Sequence, residues 1–370
     1  MYNTRIEKCK RLMEEHKVDL SVLTPGVNMY YFSGFADIQM DRMLLLLIPV
    51  RSEPVFISPE LYQGHIVRDS GIVDVDIRVW KDSDNAIELL RAVLSEIEFT
   101  NSRVLVDDAM WAIFLLPLKE ILRDCSFHPA SEILSSLRMI KSQEELQNLE
   151  QSAAIADEVF KDVICNERLT GMTELELAAE IRHSMSQKGG EAAIGALVAS
   201  GPNGANPHHH PGRRIISEGD AVLVDYGCRF NGYWSDISRT LVCGTASDVF
   251  RTAYDAVQRA QEKAFQAVRP EIPASEVDRI AREEISRAGF GERFIHRTGH
   301  GIGLEMHERP FIVAGNDLIL EEGMTFSIEP GVYLPGQFGV RIEDIVVVTS
   351  QGGRRLNKSD RNLRVLGNEE

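Results

Sequence analysis

The chain is poor in features that would make a membrane, secreted or nucleic-acid-binding protein. Its five cysteines, Cys9, Cys125, Cys165, Cys228 and Cys243, are scattered and odd in number, and none forms a Cys-x-x-Cys pair. That excludes a thiolate metal knuckle and a disulfide framework, and it suits a reducing compartment, so a cytoplasmic location is expected. Long apolar runs are missing as well. The most hydrophobic stretch, Leu44 to Val50, is far shorter than the roughly 20 residues a spanning helix needs, and reads as a buried strand. Basic clusters are absent, and 40 Lys and Arg against 56 Asp and Glu leave a formal net charge of −16. Neutralising phosphates takes grouped cations, so no nucleic-acid partner is expected, and no membrane partner either. The opening residues Thr4-Arg5-Ile6-Glu7 read as a helix capping box followed by charges rather than as a signal peptide.

What is present is an ordinary globular balance, 44% hydrophobic and 26% charged over 370 residues, enough for about two domains. The first part alternates between helical and strand patterns. An amphipathic helix is predicted over 4–17, with strands at Asp19 to Thr24, Met43 to Val50, Val55 to Ser58, Val75 to Trp80 and Arg103 to Asp107. Such alternation predicts an α/β domain over 1–132. A second organisation begins near Leu137 and occupies 137–370. Ser142-Gln143-Glu144-Glu145 is a capping box opening a helix to about Asn166, and Thr173-Glu174-Leu175-Glu176 opens another. Strands are predicted at Ala221 to Tyr226, Tyr233 to Val242, Met324 to Ile328 and Val340 to Val348, with helices at 248–268 and 275–288 between them. Strands split by a helical insertion make this half α+β.

Candidate chemistry gathers in the second half. Asn231-Gly232 is a strong two-residue hairpin signal. It sets Asp225 opposite Ser238 and makes Asp236 the diagonal neighbour of Asp225, about 7–8 Å away at Cα. Both aspartates lie in apolar strands, where an unpaired carboxylate is costly and should find a cation. A salt-bridged or solvent-facing pair is the plain alternative. In Thr298-Gly299-His300-Gly301-Ile302-Gly303 the glycines let the backbone pass close to a ligand. No Lys-Ser/Thr follows, so a phosphate loop is a weak reading, and His300 is better placed as a metal ligand. Glu329 ends an apolar strand before Pro330-Gly331, and Glu343 shares a strand face with Arg341, which could also be a plain ion pair. Oxygen donors with one imidazole suit Mn²⁺, Co²⁺, Zn²⁺ or Fe²⁺. His208, in the triplet His208-His209-His210, and His296 and His307, which flank His300, are further candidates.

Taken together, Val224 to Gly227, Ser235 to Thr240, His296 to Glu308, Ser327 to Gly331 and Val340 to Asp344 resemble the pita-bread metallopeptidases, which include prolidases, aminopeptidases P and methionine aminopeptidases. The resemblance covers about 137–350. Tyr30-Tyr31-Phe32-Ser33-Gly34-Phe35 resembles the N-terminal domain shared with creatinase, a domain methionine aminopeptidases generally lack.

The resemblance implies two divalent ions (Mn²⁺, Co²⁺ or Zn²⁺) held by Asp225, Asp236, His300, Glu329 and Glu343. Asp236 and Glu343 would bridge them. It implies hydrolysis of the Xaa-Pro bond of dipeptides or short peptides by attack of an activated hydroxide, with Glu329 moving the proton. His296 and His307 would stabilise the developing oxyanion, His208 would contact the proline end, and Arg341 would brace a bridging ligand. It also implies a homodimer, in which Gly34 to Asp41 is a candidate for reaching the partner's site. One departure is visible. Compact prolidases often carry an Arg after the Pro of the His-Glu-x-Pro segment, where this chain has Phe311; Arg309 is the nearest cation in sequence. A metal-dependent hydrolase of a small non-peptide nitrogen compound, or a non-catalytic binding module, would use the same scaffold.

Overall fold

A computed structural model of the chain describes residues 1–73, 75–165, 168–191 and 195–367. They fall into two compact units, Met1–Arg138 and Met139–Glu370.

The first unit is a mixed sheet with helices. Strands β1 (Leu20–Leu23), β2 (Leu45–Pro49), β3 (Val55–Pro59), β4 (Asp76–Trp80), β5 (Arg103–Val106) and β6 (Ser126–Pro129) lie in the order β4-β3-β2-β1-β5-β6. Helices α1 (Tyr2–Glu15), α2 (Val27–Ser33), α3 (Glu60–Asp69), α4 (Ala86–Ser95), α5 (Ala112–Ile121) and α6 (Ser131–Met139) connect or flank them. Every residue of β2 is buried, which is where the apolar Leu44 to Val50 run goes. The pattern at Thr4 to Glu7 does not act as a cap. The chain is already helical at Tyr2, with Arg5 N–H bonded to the Met1 carbonyl, so those four residues lie inside the first turn.

In the second unit both predicted capping boxes form. Ser142 Oγ accepts from Glu145 N–H at 3.3 Å and opens α7 (Gln143–Val159), and Thr173 Oγ1 accepts from Glu176 N–H at 3.2 Å and opens α8 (Glu174–Gln187). The chain continues from α7 through a π-helical turn, Phe160–Ile164; the predicted end near Asn166 lies outside the described residues. Helices α7 and α8 bury one face against strands β7 (Leu197–Ser200), β8 (Ala221–Tyr226) and β11 (Ile237–Cys243), which with β19 (Val365–Leu366) form a sheet ordered β19-β11-β8-β7. Helices α9 (Asp248–Ala267) and α10 (Ala274–Arg287) cover a second sheet, ordered β13-β12-β14-β17-β18. Its strands are β12 (Gly299–Gly301), β13 (Glu308–Ile312), β14 (Thr325–Ile328), β17 (Asp344–Thr349) and β18 (Gly352–Arg355). Two short ribbons complete the unit: β9 (Arg229–Phe230) with β10 (Tyr233–Trp234), and β15 (Gly331–Leu334) with β16 (Phe338–Arg341).

Two strands predicted as continuous are broken. The run from Tyr233 stops after Trp234, because Ser235 N–H bonds back to the Cys228 carbonyl, and pairing resumes at Ile237. The run from Val340 belongs to two sheets. It leaves β16 at Arg341 and enters β17 at Asp344, and at the step between them Glu343 N–H bonds the Ser238 carbonyl. That crossing puts Glu343 where the two sheets meet. All five cysteines are free thiols. Among the described residues no helix is long and apolar enough to cross a membrane.

Candidate metal centre

The hairpin register places the first two carboxylates. Asn231 and Gly232 take positive φ of 48° and 81°, the handedness a tight hairpin turn requires. Asp225 then pairs across with Ser238, and Asp236 sits just before β11, buried. On the second sheet, Gly299 and Gly301 bracket His300. A Cβ on Gly299 would collide with the Ser327 carbonyl oxygen and one on Gly301 with that of Arg309. Only glycine therefore lets β12 press against both neighbours and hold His300 in the interior.

These elements bring the five predicted ligands together. Donor atoms of Asp225, Asp236 and Glu343 lie within 4.8 Å of one another, as do those of His300, Glu329 and Glu343, and those of Asp236, His300 and His307. The groups overlap, with Asp236, Glu343 and His300 each in two of them. His300 Nε2 is 3.2 Å from Glu329 Oε1 and 3.8 Å from Asp236 Oδ2. His300 Nδ1 lies 3.1 Å from the Gly301 carbonyl. A carbonyl only accepts, so Nδ1 carries a proton and Nε2 is the nitrogen turned to the cluster, where a metal ion would find it.

The electrostatics are those of a crowded carboxylate cluster. Burial, then the charges of Asp225 and Glu329, push the Asp236 carboxyl well above its ordinary range. Burial, then Asp236 and Glu329, do the same to Glu343. One oxygen of Glu343 accepts from Ser238 Oγ at 2.8 Å, but the other, Oε1, is buried without a partner. An orphaned buried carboxylate oxygen is expensive. Glu329 goes the other way. Burial raises it, but the His300 hydrogen bond and the nearby His300, His296 and Arg341 side chains outweigh that and hold it down at about 2. The donor chemistry, the crowding and the orphaned oxygen all fit divalent cations with hard oxygen ligands.

Arg341 is fully engaged around this cluster. It donates to Asp225, to Ser238 Oγ at 2.9 Å and to Tyr333 Oη at 2.8 Å. It therefore reaches Glu343 only through Ser238, and no direct Arg341–Glu343 bond is seen among the described residues. His296 has both ring nitrogens occupied, Nδ1 at 2.7 Å from the Arg297 carbonyl and Nε2 at 2.8 Å from Tyr333 Oη. The carbonyl fixes Nδ1 as the donor, so Nε2 accepts from the tyrosine. Burial lowers the His296 pKa, consistent with that neutral tautomer. The ring of His307 lies 3.9 Å from that of His300 and takes an Arg297 N–H at Nδ1, 3.4 Å away. Lost hydration on the packed ring face, then the neighbouring His300 and Arg297, hold its pKa down at about 4. Arginine can only donate, so His307 carries its proton on Nε2.

His208 stands apart. It is exposed, its backbone N–H bonds Asn206, and it belongs to none of the three donor groups. Within the triplet it is His209 that has a tight partner, Glu174 at 2.8 Å. Sequence reasoning also passed over Ser238, Tyr333, Arg297 and Glu174. Of these only Ser238 carried a local signal, its place opposite Asp225 in the hairpin.

Four carboxylates and one imidazole, with Asp236, His300 and Glu343 buried and Asp225 and Glu329 half-buried, make a donor set that suits divalent cations. Residues 147–350 match Metallopeptidase family M24, and residues 5–140 match the Creatinase/Prolidase N-terminal domain. The chain is 39% identical to the probable dipeptidase PepE of Mycobacterium tuberculosis over 93% of this chain and 91% of that one. It is 35% identical to the Xaa-Pro dipeptidase of Lactobacillus helveticus over 98% of each. The crystal structure of a prolidase from Thermococcus sibiricus superposes with a TM-score of 0.93 at 39% identity, covering 99% of both chains. The chain belongs to metallopeptidase family M24: a creatinase-type α/β domain followed by a pita-bread α+β catalytic domain.

Proposed function

We propose that this metallopeptidase cleaves the Xaa-Pro bond of dipeptides or short peptides, with two divalent ions held by Asp225, Asp236, His300, Glu329 and Glu343. The observation that carries this is the overlap of the donor groups around Glu343, which has an orphaned oxygen in a cluster whose four carboxylates outnumber the Arg341 guanidinium beside them. Asp236 and Glu343, the two carboxylates that each fall in two groups, would serve both ions. The proline specificity rests on the names of the relatives, Xaa-Pro dipeptidase and prolidase.

When bound, the ions supply Lewis-acid polarisation of the scissile carbonyl and an acidified water. The chain's own residues supply the rest. Glu329, held ionised, accepts the proton of the attacking water and passes it to the proline nitrogen, a tertiary amide with no N–H of its own. His307 Nε2–H, set by Arg297, donates to the developing oxyanion. His296 is kept neutral by its two bonds and acts through Tyr333 and Arg341 on Asp225. His208 contacts the proline end from its exposed loop. Arg341 holds Asp225 directly and Glu343 through Ser238.

Several finer assignments belong to the same reading. Manganese fits the hard, oxygen-rich donors. A cytoplasmic location fits the five free thiols. A homodimer contact is assigned to Gly34 to Asp41, where Ile38 and Met40 are 73% and 46% exposed.

The test is to strip the protein of metal, restore Mn²⁺, Co²⁺ or Zn²⁺ separately, and assay Xaa-Pro dipeptides beside Xaa-Pro-Xaa tripeptides. Metal-restored release of the N-terminal residue is expected. A protein that takes up metal yet cleaves neither class would instead be a hydrolase of a small non-peptide nitrogen compound.

A further inference from the structure

We infer that Arg297 is the specificity residue that holds the substrate's C-terminal carboxylate, which makes the chain a dipeptidase by charge recognition. The inference rests on the peptidase reading above and concerns the same site. Arg297 lies between His296 and the Gly299-His300-Gly301 segment. Its guanidinium stands 4.5 Å over the ring of Phe311 and reaches His307 Nδ1 at 3.4 Å. It is half-buried, yet among the described residues no carboxylate pairs with it within 4.0 Å.

The other cations around the site are already engaged or solvated. Arg341 is held by Asp225, Ser238 and Tyr333. Arg282 is tied to Asp278 and to the carbonyls of Phe294 and His296. Lys141 is buried against Glu308 at 2.5 Å. Arg309, the candidate nearest Phe311 in sequence, is exposed. A cation in water gains little from one more carboxylate, whereas a partly desolvated guanidinium on an aromatic shelf has already lost much of its hydration and is held in place. Its planar fork presents donors to a carboxylate next to the ring that would donate to the oxyanion. In a dipeptide the carboxylate is one residue beyond the scissile carbonyl, a separation that suits His307 on the carbonyl oxygen and Arg297 on the carboxylate. In a tripeptide that position is a neutral amide.

The experiment compares Xaa-Pro acids with the corresponding Xaa-Pro amides, using wild type, Arg297→Gln and Arg297→Lys, with metal content and thermal stability measured for each. Wild type should prefer the acid, and Arg297→Gln should reduce the acid-over-amide ratio of kcat/KM on the order of 10²-fold, the loss carried mainly by KM. Arg297→Lys should recover part of the ratio, since it keeps the charge and loses the fork. Equal losses on acid and amide, or a loss confined to substrates with an acidic residue before proline, would overturn the inference while leaving the peptidase reading intact. A metal-loaded wild type inert toward both would remove the peptidase reading and this inference with it.

Discussion

Glu343 and Asp344 are consecutive, each no more than 1% exposed, and they meet opposite fates. Asp344 points into cations. Arg239 Nη2 bonds it at 2.7 Å, and Arg355 and Arg361 lie at 3.1 and 3.2 Å. Glu343 points into carboxylates, with one oxygen unpartnered. The step from β16 to β17 separates them, since successive residues of an extended chain face opposite ways. Burial alone therefore says little about function. What distinguishes the two is whether the chain supplies the compensating charge itself. Asp344 is closed by its own scaffold, and Glu343 needs something from outside. Glu174 extends the contrast. It is a fully buried carboxylate whose oxygens accept from Ser200 N and Oγ, Asn203, His209 and Gly212.

The largest expected effect breaks the open side of this comparison. Asp236→Asn should abolish turnover, by well over the roughly 10–100-fold that loss of an outer supporting group costs a metal site, and should lower metal content measured by elemental analysis. In the metal-free protein the same change should raise the melting temperature, because it removes a carboxyl whose ionisation burial and the neighbouring carboxylates penalise. A metal-free variant that melts lower than metal-free wild type would mean that the cluster is internally compensated after all. On the closed side the sign reverses. Asp344→Ala leaves the buried Arg239 guanidinium without its carboxylate and should cost about 3–5 kcal/mol of unfolding free energy, read by denaturant titration. A loss within experimental scatter would show that Arg239 and its neighbours find other acceptors.

The part of the site visible in the sequence was the part set by local rules. The Asn231-Gly232 turn and strand alternation bring Asp225 and Asp236 together, and the glycines around His300 announce a close backbone approach. The helix starts at Ser142 and Thr173 carry their own capping chemistry. What depended on distant partners was not visible. Nothing near Val340 signals that the strand changes sheet at Glu343, because the cause is the Ser238 carbonyl far away in the chain. The bonds of Arg341 to Tyr333 and of Arg297 to Phe311 and His307 likewise exist only once two sheets meet. A His triplet does not say which member is held inside, and His208 was singled out while His209 found the buried carboxylate. The start of α1 was misplaced for a different reason: a capping sequence is a preference that helical residues upstream can override.

Glu174 gives the smallest and most specific test, because its closure is entirely hydrogen-bonded. Burial raises its pKa, but the Asn203, His209 and Ser200 donors outweigh that and hold it at about 2, against an ordinary 4.5. A carboxyl lowered in the folded state adds stability that is fully present above its unfolded pKa and is lost as pH falls through the folded value. Glu174→Gln leaves one acceptor oxygen and sets an NH₂ against groups that already donate. It should cost about 2 kcal/mol at pH 7, and the gap to wild type should narrow as pH drops from about 4.5 toward 2. Because the bonded residues span Ser200 to Gly212, the loop carrying His208 should loosen, and turnover of Xaa-Pro substrates should fall several-fold while metal content holds. Thermal melts of both proteins across that pH range decide the matter. A stability difference that stays constant down to pH 2 would mean that the ionised carboxylate is not what ties the loop, whereas a closing gap with metal content intact would separate scaffold carboxylate from site carboxylate by experiment.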